Sequence, residues 1–67
     1  MRDAMIQALK LHAKANSQLH CMNIEVYLKN PAGIGEHSDI MEAIQAELDK
    51  MAMHEDRLDM LDNYFSE

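Results

Sequence analysis

Both glycines and the only proline of this chain fall within one ten-residue stretch, Asn30-Pro31-Ala32-Gly33-Ile34-Gly35-Glu36-His37-Ser38-Asp39. Proline disfavours helical geometry at the residue before it and cannot donate a backbone hydrogen bond, while glycine takes the positive φ values that close a turn. Pro31, Gly33 and Gly35 are therefore the expected turn residues, with a first helix stopping near Lys29 and a second starting close to Ser38. The pattern predicts an all-α fold, a two-helix antiparallel hairpin with helices over about 2–29 and 38–65 and a loop over about 30–37, forming a single domain across residues 1–67. Ser38 or His37 is the candidate cap of the second helix, and Glu36, Asp39 and Glu42 suit the positive end of its dipole. The far end, with Asp59, Asp62 and Glu67, is unfavourably acidic and is expected to fray.

Size limits what such a hairpin achieves alone. Below roughly 70–80 residues a single core rarely supplies more than ~3–5 kcal/mol, and two helices bury only one seam. One cysteine, Cys21, makes no intrachain disulfide, and the spacing of a structural zinc site is absent. Association into a homo-oligomeric helical bundle is the expected remedy. Among the first fifteen residues, Arg2, Asp3, Gln7, Lys10, His12 and Lys14 interrupt any apolar run, which argues against a signal peptide or a membrane span and for a soluble protein of the cytoplasm.

The net charge of −6 is uneven. Residues 1–30 carry four cations against two acids, and residues 31–67 carry two cations against ten acids, so the halves stand at +2 and −8. Opposite charge favours packing the first helix on the second. The acidic balance disfavours nucleic acid, whose affinity comes chiefly from phosphate neutralisation.

Along the first helix, Met1, Met5, Ala8, His12, Ala15, Leu19, Met22 and Val26 follow at alternating spacings of four and three, a heptad seam. Leu9 and Leu11 widen it, while Ile24, Tyr27 and Leu28 place apolar groups on other faces, to be covered by a partner or by Ile34. In the second helix Ile44, Met51, Leu58 and Phe65 lie seven apart, flanked by Ile40, Met41 and Leu48 early and by His54 and Leu61 late. Met5, His12, Leu19, Met22, Val26, Ile40, Ile44, Leu48, Met51, Leu58, Leu61 and Phe65 are the expected core and interface residues. A turn centred near residues 33–34 would set Val26 against Ile40 or Met41, Met22 against Ile44, Leu19 against Leu48, Ala15 against Met51, Ala8 against Leu58 and Met1 against Phe65.

One layer of this arrangement is polar, with His12 facing His54 and Glu55. In a dimer of hairpins two copies of each would converge, and imidazole with carboxylate suits zinc or another transition metal. The Glu-x-x-His pairs of di-iron bundles are missing, and a single polar layer in a helical core more often fixes register. The structural reading is preferred, with no metal or other cofactor expected. If His12 and His54 share a buried layer, stability should fall on acidification unless Glu55 dominates. His20 beside Cys21 could mark a metal or redox site, but a lone thiol on a helix is read as a small buried hydrophobe, and His37 as a cap or surface group.

Asp39-Ile-Met-Glu42 with Asp56-Arg-Leu-Asp59 resembles the paired acidic motifs of MazG-type all-α nucleotide pyrophosphohydrolases, which hold magnesium. On a continuous helix these carboxylates point mainly away from the seam, and ten acids in 37 residues generate such pairs by chance, so a solvated acidic face is the reading adopted. The segment from Leu28 through Asn30-Pro31-Ala32-Gly33-Ile34-Gly35-Glu36-His37-Ser38-Asp39-Ile40, continuing to Leu61, resembles small proteins of tailed bacteriophages, particularly marine ones, although Ser38 stands where their pattern has proline. The resemblance covers about half the chain and implies a phage-related origin, with host-cell cytoplasm or virion as its location; it brings no activity with it. The expected function is a non-enzymatic, self-associating hairpin acting as a structural or protein-interaction module, with further copies and a host or virion protein as partners. A small metal-dependent enzyme or metal-binding bundle is the rival.

Overall fold

The computed structural model describes residues 1–29 and 37–66, and for His37 and Ser38 the backbone alone. The expected turn residues Pro31, Gly33 and Gly35, the cover expected of Ile34 and the capping side chains lie outside the described residues. Two helices make up the fold: α1, Arg2–Lys29, and α2, His37–Tyr64, each of 28 residues. Their bounds agree with the expected ones to within a residue, and no strand occurs among the described residues.

The helices run antiparallel. Lys10 meets Asp62, Ser17 meets Glu55 and Asn23 meets Glu47, so residue numbers rise on one helix as they fall on the other. The molecule is a rod of 48 × 15 × 12 Å, consistent with 28 residues rising about 1.5 Å each. Its radius of gyration of 15.2 Å exceeds the roughly 11 Å of a compact domain of this length.

On α2 the inner line is Ile40, Ile44, Glu47, Met51, His54, Leu58 and Leu61, again at spacings of four and three. Expected core positions Ile40, Ile44, Met51, Leu58 and Leu61 are on it. Leu48 and Phe65 are about half exposed and stand off it.

On α1 the inner line differs from the expected seam. It runs through Ile6, Lys10, Ala13, Ser17, His20, Ile24 and Tyr27, while Met5, Leu19, Met22 and Val26 are 52–67% exposed and His12, expected in the core with them, is exposed as well. At 100° per residue the two stripes lie roughly 150° apart around the helix. The pairings expected of Met22 with Ile44, Leu19 with Leu48 and Ala15 with Met51 therefore do not form within the chain. The physical reason lies on α2, whose inner line includes Glu47. A carboxylate pressed against leucine and methionine would lose its hydrogen bonds to water without replacement. The polar stripe of α1 supplies partners instead: Ser17 Oγ donates to Glu55 Oε2 at 2.5 Å, and His20 and Asn23 donate to Glu47.

The acidic end of α2 is met by cations from α1. No basic residue sits in the last turn of α2 itself. Arg2 donates from its guanidinium to the Phe65 carbonyl at 3.2 Å, and Lys10 Nζ lies 3.0 Å from Asp62 Oδ1 and donates to Ser66 Oγ at 2.9 Å. Positive charge beside the last carbonyls of a helix opposes the negative end of its dipole. The fraying expected from sequence is thus countered by the other helix, and Phe65 N still donates to Leu61 O at 3.0 Å.

Ala13 is 1% exposed, the most buried apolar side chain of α1. Its small size sets how near α2 can come. Replacing it with leucine should lower stability by about 1–3 kcal/mol through overpacking, whereas Ala52→Leu on the exposed side of α2 should change it by less than about 0.5 kcal/mol. Urea denaturation of both variants at one protein concentration checks the contrast.

Candidate functional site

The feature with the most chemistry is a layer of histidines midway along the rod. His54 of α2 is buried at 6% exposure and lies between two imidazoles of α1. His20 stacks on it, with ring centroids 5.9 Å apart and planes 10° from parallel, and His12 meets it edge-on at 6.0 Å and 63°. The two α1 residues are eight positions apart, so an arc of two helical turns brackets one residue of α2.

A carboxylate orders one end of this layer. Glu47 Oε1 accepts from Asn23 Nδ2 at 2.9 Å and from His20 Nδ1 at 2.7 Å, and because an ionised carboxylate only accepts, the proton of His20 is assigned to Nδ1. The Asn23 bond, followed by the His20 bond, holds the Glu47 carboxyl below its ordinary value, overcoming the opposing effect of burial. His12 makes its own local contribution to α1, its carbonyl accepting from Asn16 Nδ2 at 2.8 Å.

His54 differs from its neighbours in having a buried Nδ1 with no hydrogen-bond partner among the described residues. Loss of hydration disfavours its charged form, and Arg57 on the same helix with His20 and His12 across the seam add positive surroundings, so its pKa lies below the usual imidazole value.

The structure brings together two of the three candidate metal ligands, His12 and His54, but Glu55 turns to Ser17 instead. His20, Glu47 and Asn23 complete the layer, although the hydrophobic spacing of the sequence marks none of them. A signal existed: His20, Asn23 and Ile24 share the helical spacing of Ala13 and Ser17, but only a reading that admitted a polar seam would have used it. Among the described residues no group of three or more His, Cys, Asp or Glu side chains could hold a metal ion. Cys21 is a half-buried free thiol. Asp39, Glu42, Asp56 and Asp59 are exposed, as a solvated acidic face requires, and do not form a magnesium-holding cluster.

Two grooves flank the helix pair. One is charged, lined by Lys10, Lys14, Glu55, Asp59 and Asp62, and the other is mainly apolar, lined by Leu9, His12, Ala13, Arg57, Met60 and Leu61. No described helix is long and apolar enough to cross a membrane. No protein-family model, curated protein or solved structure matches the chain.

The depressed pKa of His54 makes stability depend on pH. At neutral pH the imidazole is uncharged folded or unfolded; as pH falls through about 6.5 the unfolded chain takes up the proton first, so folding loses stability. Glu47, also depressed, acts in a lower window, its contribution being lost as pH drops below the ordinary carboxylate range. Thermal melts at pH 7.5 and 5.5 should show a larger loss for the wild type than for His54→Leu. Equal losses would mean that His54 is not a desolvated imidazole.

Proposed function

We propose that this chain is a non-enzymatic helical hairpin that associates with further copies of itself, as a four-helix dimer or a larger bundle, and serves as a structural or protein-interaction module. The observation that carries this reading is the mismatch between what the chain buries and what it exposes. Ala13 and Ile40 are the only apolar residues buried among those described, no large side chain is fully buried, and fourteen large hydrophobic residues are between 43% and 95% exposed. An exposed apolar surface of this extent marks an interaction site. The likeness of the 28–40 segment to small phage proteins supports a phage-related origin, with a host or virion protein as a further partner.

Sedimentation equilibrium and melting across micromolar concentrations test the reading. The expected result is a dimer or larger species whose melting temperature rises with concentration, because association stabilises the folded form by mass action. A folded monomer with a concentration-independent transition would overturn it.

A metal-binding bundle, the rival reading, draws support from the unpartnered His54 nitrogen beside two other imidazoles. The expected outcome is no metal by elemental analysis of protein purified without chelator and no thermal shift on adding zinc, manganese or magnesium. A stoichiometric metal with a rise in melting temperature would favour the rival.

A further inference from the structure

The outward stripe of α1 keeps its alternating spacings of four and three when it is reversed. Reversal about the midpoint between Ala13 and Lys14 places Met5 on Met22, Ala8 on Leu19 and His12 on Ala15. The outermost positions, Met1 and Val26, also exchange. A surface that maps onto itself under reversal is what a twofold, antiparallel contact between identical helices requires. The exchanged positions also set small side chains opposite larger ones, as close packing demands.

Electrostatics points to the same occupant. The stripe contains no Asp, Glu, Lys or Arg, and its flanks carry Leu9, Leu11 and the amides Asn16 and Gln18, so an antiparallel copy brings no like charges together along them. Contact through α2 would instead press together two helices that each carry a charge of −6. With the stripe roughly 150° around α1 from the α2 seam, pairing through α1 leaves the acidic helices on opposite outer sides.

The area is also commensurate. The chain exposes 5227 Å², whereas a compact protein of 7.7 kDa is expected to expose roughly 4,300 Å². The excess, roughly 900 Å², is comparable to the ~800 Å² that each partner contributes to a standard interface.

We infer that α1 pairs antiparallel with α1 of a second copy through this stripe, about a twofold axis passing between positions 13 and 14. The inference rests on the self-association reading above and fixes its geometry. In the pair, Ala8 of each chain packs on Leu19 of the other, and the histidine layers of the two hairpins lie close to the axis.

Sedimentation velocity over a concentration series, with circular dichroism to follow helicity, tests this on the full chain. Leu19→Glu and Ala8→Lys, each at an exposed position of the hairpin, should each raise the dissociation constant at least about tenfold by placing an unpaired charge in the seam. The double variant sets the introduced lysine opposite the introduced glutamate at both symmetric places and should return to within about threefold of wild type. Ala52→Glu, on the exposed side of α2, should stay within about threefold. An associating wild type that is indifferent to Leu19→Glu, or more sensitive to Ala52→Glu, would overturn this surface while leaving self-association standing. Single variants that dissociate without recovery in the double variant would overturn the antiparallel register. A monomeric wild type would overturn both readings.

Discussion

Glu47 lies on the inner line of α2, where a carboxylate facing an apolar wall would forgo hydration and gain nothing in return. That demand fixes the rotation of α1 about its own axis. Turned so that Ser17, His20 and Asn23 face inward, α1 donates to both Glu47 and Glu55 and shields His54 between two rings. Turned the other way, it would bury more methionine and leucine but strand the carboxylate. An unmet buried hydrogen bond costs about 1–3 kcal/mol and more for a charged group, so the bonds to Glu47 and Glu55 offset part of the apolar burial that is forgone when this stripe is left outside.

The same exchange operates at the open end of the hairpin. Residues 31–67 carry a charge of −8 and residues 1–30 a charge of +2, and Arg2 and Lys10 place part of that imbalance where the C-terminal end of α2 most needs it. Each contact is solvent-exposed and weak alone. Their value is positional, because a helix whose last turn lacks a cation of its own obtains two from the neighbouring helix.

The sequence made the helix ends legible because proline and glycine act locally, whatever the tertiary context: α1 ends at Lys29, two positions before the proline in the sequence, and an uninterrupted run follows from His37. The inner line of α2 was largely legible as well, since Ile40, Ile44, Met51, Leu58 and Leu61 are apolar at helical spacing. On α1 two stripes competed, and hydrophobic periodicity selects the more apolar of them. Met5, Leu19, Met22 and Val26 outweigh Lys10, Ser17 and His20 on any hydropathy scale, yet the second set faces α2. What the periodicity could not express is that a seam's partner may itself be polar. His12 and His54 were placed together correctly, whereas His20, Glu47 and Asn23 depended on the rotation of α1 and so were out of reach.

The bonds from Arg2 to Phe65 and from Lys10 to Ser66 join residues 63 and 56 positions apart, whereas those from Asn23 and His20 to Glu47 span 24 and 27. Loop-closure entropy rises with the logarithm of the intervening length, so closing the longest of these loops from an open chain costs roughly 0.9 kcal/mol more than closing the shortest. The hairpin is therefore a zipper with a cheap end and a dear end. Pairing that starts near the turn shortens every loop still to be closed, and the clasp at the termini engages last, when the helices are already side by side.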